Sequence, residues 1–309
     1  MNIAAWMVFY AATLTWVGPP VLERITGGGR SARLGVTVWL TAIGGALGGW
    51  IAALGVIVAH VISNLTDESP LTLCLDELGF TGSLDMTRQF SSIAATMLAC
   101  AGVLVTVIAS WRVWSRIRRL RHHSHEHARA ARIVGVSTDQ PDVVIVDSGQ
   151  PSAYCVAGRP QTIILTTAAL RRLDAPQLGA VLAHERAHLT GHHHQILMIL
   201  RSLARALPLL PLLGAGASAV ARLLEMCADD VAVRRHGPHP LLCGMVTLVA
   251  GPSQPAGAMG AADVAVLARA ARLVSPAGPV DQWRERLVLV TAIALTIATP
   301  FVAGLLCPS

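Results

Sequence analysis

The apolar positions divide the chain into long hydrophobic runs near both ends and a mixed centre. Residues 3–22, 34–62, 93–114 and 287–307 are almost continuously apolar, each close to the roughly 20 residues a helix needs to cross a bilayer. The second run is longer and contains "GGALGGW" (44–50), small residues that suit tilt or close packing against a neighbour. The first run has no basic stretch ahead of it, and Pro19-Pro20 stand where a small-residue cleavage site would be needed. It reads as an uncleaved span, not a signal peptide.

Between residues 116 and 286 the pattern shortens. "DVVIVD" (142–147), "SAYCVAG" (152–158) and "TIILTTAAL" (162–170) read as strands, the last two bracketing a turn at Gly158–Pro160. A helix follows in "LDAPQLGAVLAHERAHLTG" (173–191). Asp174 is its N-cap, Gln177 completes a capping box, Pro176 falls in the first turn and Gly191 is the C-cap. Leu178, Val181, Leu182 and Leu189 give it an apolar stripe, so it should be buried. The next apolar stretch is broken by Arg201, Arg205 and two prolines, and reads as core or as a segment lying against the membrane. A last helix of this group stops at Gly237-Pro238. The expected architecture is an α-helical membrane protein with four transmembrane helices. Residues 1–115 form the membrane domain with the first three spans, an α+β domain follows over 116–286, and the fourth helix lies in 287–309. No repeat at solenoid periods is visible.

Composition sharpens this picture. At 53% hydrophobic, 14% charged and a mean hydropathy of +0.55, the chain is too apolar for an ordinary soluble domain. Its charge of +6 follows membrane topology, not a nucleic-acid partner. Arg24, Arg30 and Arg33 sit after the first span, and seven Arg fall in 111–132 after the third. The segment 63–92 instead holds Asp67, Glu68, Asp76, Glu77 and Asp85 against Arg88. The excess of Arg places 23–33 and 112–286 in the cytoplasm and both chain ends outside. Trp111 and Trp114 mark the interface, with the basic run 112–132 against anionic lipid. "HHSHEH" (122–127) is best read as a solvated helix face. The six Cys show no zinc spacing; Cys155, Cys227 and Cys243 should be reduced cytoplasmic thiols, while Cys74 and Cys307 fall outside, where a disulfide can form.

The chemistry lies in "VLAHERAHLTGHHH" (181–194). His184, Glu185 and His188 spell H-E-x-x-H. Residues four apart share a helix face, so two imidazoles can grip one ion from a rigid element, and Glu185 can reach a water on that ion. Three fixed letters arise by chance in such a chain about once in 100. A catalytic zinc needs a third protein ligand and one open position. Glu225 and Asp229 lie four apart in the otherwise apolar "AVARLLEMCADDVAV", where an unpaired carboxylate would be costly to bury. Glu225 is therefore the candidate third ligand, and Asp229 the acceptor that fixes a ligand imidazole's tautomer.

Two strands, then "AVLAHERAHL", then "EMCADDVA" resemble the gluzincin metallopeptidases. With three spans before the domain and one after, the chain looks most like family M56, the membrane peptidases typified by β-lactam-sensing transducers that inactivate a winged-helix repressor. That resemblance implies Zn2+ held by His184, His188 and Glu225, with Glu185 as general base and Asp229 at the acidic position of E-x-x-x-D. It also implies a cytoplasmic repressor as protein substrate, and by analogy it allows a homodimer. The run "TGHHH" departs from M56 and resembles instead the M48 membrane proteases, which makes quality-control proteolysis the alternative. The chain contains no Lys, so it cannot supply the S-x-x-K serine of a covalent β-lactam sensor.

The expected reaction is zinc-assisted peptide hydrolysis, with an extended substrate adding to a sheet edge at 152–158 or 161–166. His193, Arg234 and His236 are candidate donors to the oxyanion. The rival classes are a non-catalytic membrane transducer with a structural metal, and a transporter, for which His60 is the one notable polar group within a span.

Overall fold

The computed structural model describes residues 3–66, 88–249, 261–275 and 278–306. The acidic segment of the second loop, with its five carboxylates, lies outside these residues, as do Cys74 and Cys307.

The membrane portion begins with α1 (Ile3–Ala12), a π turn (Thr13–Val17) and α2 (Gly18–Thr26), which follow one another without a break. The π turn precedes Pro19-Pro20, whose missing N–H groups leave gaps in the helical ladder. α3 (Ala32–Thr66) packs along α1, and α4 (Arg88–Val134) runs unbroken from the third apolar stretch through the Arg-rich run. α11 (Pro279–Leu306) closes the bundle against α3 and α1. Polar side chains such as Tyr10 and Trp39 find partners inside it, as a medium without water requires. Tyr10 Oη donates to the Thr296 carbonyl at 2.7 Å, and Trp39 Nε1 to Thr26 Oγ1 at 3.0 Å. Ile93, Leu104 and Val107 of α4 and Leu295, Ile297 and Phe301 of α11 point outward, an apolar surface suited to lipid.

The central domain has a four-stranded sheet of β1 (Val136–Ser137), β2 (Val143–Val146), β3 (Ala153–Val156) and β4 (Thr162–Thr166), in the order β1-β2-β4-β3. β2 and β4 are parallel, with Ile145 opposite Leu165, whereas β3 is antiparallel to β4, with Cys155 opposite Ile163. Both faces of β4 are covered. Ile163 and Leu165 meet α6 (Ala175–Thr190), and Ile164 meets Ala128 and Ala131 of α4. Burial on both faces explains why these strands read as continuous apolar runs without alternation. The expected third strand is shorter than 162–170. Thr166 caps a helix instead, its Oγ1 accepting from Ala169 N at 3.2 Å, and α5 (Thr167–Arg172) begins there.

The chain continues through α7 (His193–Ala206), α8 (Pro211–His236), α9 (Pro238–Val249) and α10 (Ala261–Val274). Among the described residues, four helices are long and apolar enough to cross a membrane: Ala5–Thr26, Ala32–Ser63, Ile93–Val134 and Pro211–His236. The protein is thus a multi-pass membrane protein. The fourth of these is α8, a helix of the central domain, while the expected span 287–307 falls on α11, whose last residues lie partly outside the described ones. The apolar window of α8 is 61% buried, against 28%, 28% and 11% for the others. α8 is apolar because it is the spine of the molecule. Leu212, Leu213, Val220 and Leu223 pack on Val36, Trp39, Ile43 and Ala46 of α3 in one core. Gly216 lets the helices approach, since a Cβ there would lie 2.7 Å from Ile43 Cδ1 and 3.2 Å from Trp39 Cε3.

This contact yields a prediction. Gly216→Leu should destabilise the detergent-solubilised protein by about 1–3 kcal/mol through overpacking, read as a lower thermal midpoint. Gly214→Ala, where a Cβ meets nothing within 4 Å, should leave the midpoint unchanged or raise it slightly.

Candidate metal centre

α6 brings the motif to the centre of the domain. Asp174 caps it, Oδ1 accepting from Gln177 N at 2.8 Å. The reciprocal half of a capping box is absent, since Gln177 Oε1 is buried without a partner. Val181, Leu182 and Leu189 face the sheet, while Ala180 and Ala183 meet Ala232 of α8 and Leu241 of α9. His184 and His188 are both buried, on the side where α8 passes. Arg186 staples the helix to the strand ahead of it, with Nε on Asp142 Oδ2 at 2.7 Å and Nη2 on Oδ1 at 3.0 Å. That guanidinium holds the Asp142 carboxyl below the usual carboxylate range.

The donor atoms converge. His184 Nε2 and His188 Nε2 are 3.0 Å apart, and Glu225 Oε2 and Oε1 lie 3.6 and 3.5 Å from them. Ligands about 2.0–2.1 Å from one tetrahedral zinc are separated by about 3.3 Å, so the three side chains fit a single Zn2+. The carboxylates come from one face of α8, four residues apart. Asp229 is 1% exposed, and its Oδ1 lies 3.0 Å from His184 Nδ1, in ion-pair range though without hydrogen-bond alignment.

"TGHHH" resolves into three roles. Gly191 ends α6 with an ordinary right-handed φ of −79°, and the left-handed turn falls on His192, at φ 53°. Glycine is needed at 191 because His193 folds back so closely that a Cβ would collide with its ring. His193 Nδ1 then lies 2.8 Å from His188 Nδ1, and His194 Nε2 lies 3.2 Å from the thiol of Cys155 on β3. Each ligand imidazole therefore has a partner behind it, a carboxylate for His184 and an imidazole for His188.

Burial sets the protonation of this cluster. It drives His188 down to about 3 and His193 to about 4, with neighbouring imidazoles adding to the effect. Burial also opposes charge on His184, yet the Asp229 and Glu225 carboxylates beside it raise it to about 9. The Glu185 carboxyl is pushed up by burial, which outweighs the nearby His184 and the contact with Cys155.

The sequence reading missed Arg269 of α10. Its Nε and Nη2 grip Asp229 at 2.8 and 2.6 Å, and its Nη1 lies 3.0 Å from Glu225 Oε2. One turn on, Arg272 pairs with Asp230 at 2.8 Å. The available signal was two arginines three apart on an Ala-rich helix, facing the consecutive Asp229-Asp230. Of the proposed oxyanion donors, His193 stands behind His188, Arg234 is exposed, and His236 packs against Gly179 at the far end of α6.

Residues 115–232 match the family model for Peptidase family M48. The matched segment contains H-E-x-x-H, Glu225 and Asp229 together with the sheet. It overturns the M56 resemblance. That likeness rested on the count of spans and on a motif pair which both families share, whereas the His-rich run after the motif pointed toward M48. No solved structure matches the chain. With a matching peptidase domain and a convergent His-His-Glu set, the protein is a membrane-anchored zinc metalloendopeptidase.

The raised His184 gives a pH test. In chelator-treated protein, His184 carries a proton that zinc must displace, so zinc affinity should strengthen as pH rises toward about 9. The same group stabilises the metal-free fold. Its contribution is fully present below the unfolded value of 6.5 and is lost as pH rises through about 9. Thermal midpoints of the chelated protein should fall across that window, and a flat profile would remove the His184–Asp229 contact as its cause.

Proposed function

We propose that this protein is a quality-control endopeptidase that cuts protein chains at the cytoplasmic face of the membrane. The observation that carries this reading is the convergence of His184, His188 and Glu225 within a segment matching family M48. The cytoplasmic placement rests on the excess of Arg in 23–33 and 112–132. The winged-helix repressor was implied by the M56 likeness alone, so it falls with that likeness.

The roles follow from the chemistry of each group. His184, His188 and Glu225 would hold Zn2+, which when bound polarises a water and the scissile carbonyl. Glu185 is the general base: it takes the water's proton and returns it to the leaving amine, a task helped by burial that raises its carboxyl above the usual range. Asp229 orients His184, and Arg269 fixes both carboxylates of α8 against repulsion. An extended substrate pairs with β3, the sheet edge beside the motif helix. β4, the other expected edge, has neighbours on both sides. A three-ligand set argues against the non-catalytic transducer, since structural zinc sites are closed by four ligands.

Glu185→Gln should lower kcat/KM by about 10²–10⁴-fold while retaining zinc, and Glu225→Ala should lose most of the metal. Both are read from purified protein by peptide cleavage and metal analysis. In cells, new protein N-termini present with wild type and absent with Glu185→Gln should spread over many membrane proteins. A single cut in one soluble protein would overturn the quality-control reading.

A further inference from the structure

A cleft of about 850 Å³ opens beside the metal centre, between α4, α7 and the end of β3. Its lining includes Cys155 and His194, whose Sγ and Nε2 lie 3.2 Å apart, and Cys155 also hydrogen-bonds with Glu185. One wall follows the outer strand of the sheet and the turn after it, Cys155 through Gly158. The rest is cationic. Arg116 and Arg121 enter from α4, Arg159 from the β3–β4 turn, and Arg201 and Arg205 from α7. No Asp or Glu lines the cleft, and among the described residues none of these five arginines makes an ion pair. Arg121, Arg159, Arg201 and Arg205 are exposed. Five like charges around one concave wall would be unfavourable without a counter-charge, and a low-dielectric cleft focuses their field on whatever enters.

Resting on the peptidase reading above, we infer that this cleft receives the substrate chain and selects for acidic residues on the flank of the scissile bond that runs along β3 toward Gly158. Two features favour a peptide over a lipid headgroup. The cleft is continuous with the residues around Glu185, and its wall is a strand edge that offers the main-chain pairing an extended peptide uses. The arginine fork adds geometry, since a planar guanidinium meets a carboxylate through two parallel hydrogen bonds. Arg116 and Arg121 lie within about 11 Å of Trp114 along the helix, so the cleft also reaches acidic segments next to a transmembrane span.

The test separates binding from cleavage. Full-length protein carrying Glu185→Gln is loaded with zinc in neutral-lipid nanodiscs and titrated with labelled peptides of about ten residues, which differ only in Asp/Glu against Asn/Gln on one flank. The acidic peptide should bind at least about tenfold more tightly. The advantage should shrink with salt, because exposed charges are screened over about 8 Å at physiological ionic strength. Adding Arg159→Gln or Arg201→Gln should collapse the ratio, with zinc content confirming an intact centre. Equal affinity for the two peptides overturns the proposal. So does a ratio that survives both substitutions, or arginine variants whose sole loss is retention of anionic phospholipid. Acidic preference without cleavage by the wild type would uphold the cleft and instead sink the peptidase reading.

Discussion

Two carboxylates cannot be buried on an apolar helix unless charge is brought to them, and the architecture of the domain follows from that constraint. Asp229 is almost wholly enclosed and Glu225 is half-buried, on a helix whose other residues form the main core. Leaving either unpaired would cost several kcal/mol. Their partners come from two other elements, His184 and His188 on α6 and Arg269 on α10. The charge balance therefore fixes the packing of three helices at once. Arg269 matters especially because it satisfies Asp229 through two parallel bonds and leaves Asp229 Oδ1 still in reach of His184.

The same helix couples the centre to the membrane. The apolar half of α8 lies along α3 from Val36 to Ala46, and its charged half begins where that contact ends. Met226, one residue beyond the proposed ligand Glu225, reaches the turn at Gly29 between α2 and α3. A change in the tilt of α3 would thus be transmitted to Glu225 through a packed interface and not through a flexible linker. α4 and α11 likewise cross the boundaries expected at 115 and 287 as unbroken helices, so continuous helices join the membrane bundle to the peptidase domain.

What the sequence made legible was local. The H-E-x-x-H pair, the Asp174 cap and the return of a carboxylate four residues from a second one are short-range patterns, and each is found where expected. Errors arose where one residue serves two patterns. Thr166-Thr167 carry strand propensity, but Thr166 also caps α5, and the cap decides. α8 reads as a helix of the central domain although it has the hydropathy of a span; protein burial and lipid burial select the same side chains, and its carboxylates mark the difference. Arg269 was illegible because it sits 40 residues from Asp229, on a helix with no motif of its own.

The edge of the sheet joins the chemistry to the choice of substrate. An exposed strand edge invites pairing with any extended chain, a hazard that short edges and charged surroundings reduce. β3 has four residues, and its outward Tyr154 is met by His127 of α4, with Oη and Nε2 3.3 Å apart. Beyond it the arginines of α4 and α7 line the approach. A basic or neutral strand arriving along this wall would find no counter-charge there, whereas an acidic one would neutralise it while pairing with the backbone. The features that keep the edge from aggregating are thus the same ones that filter what reaches Glu185. An endopeptidase with an open edge acquires selectivity from the electrostatics of its approach, with no need for a deep specificity pocket.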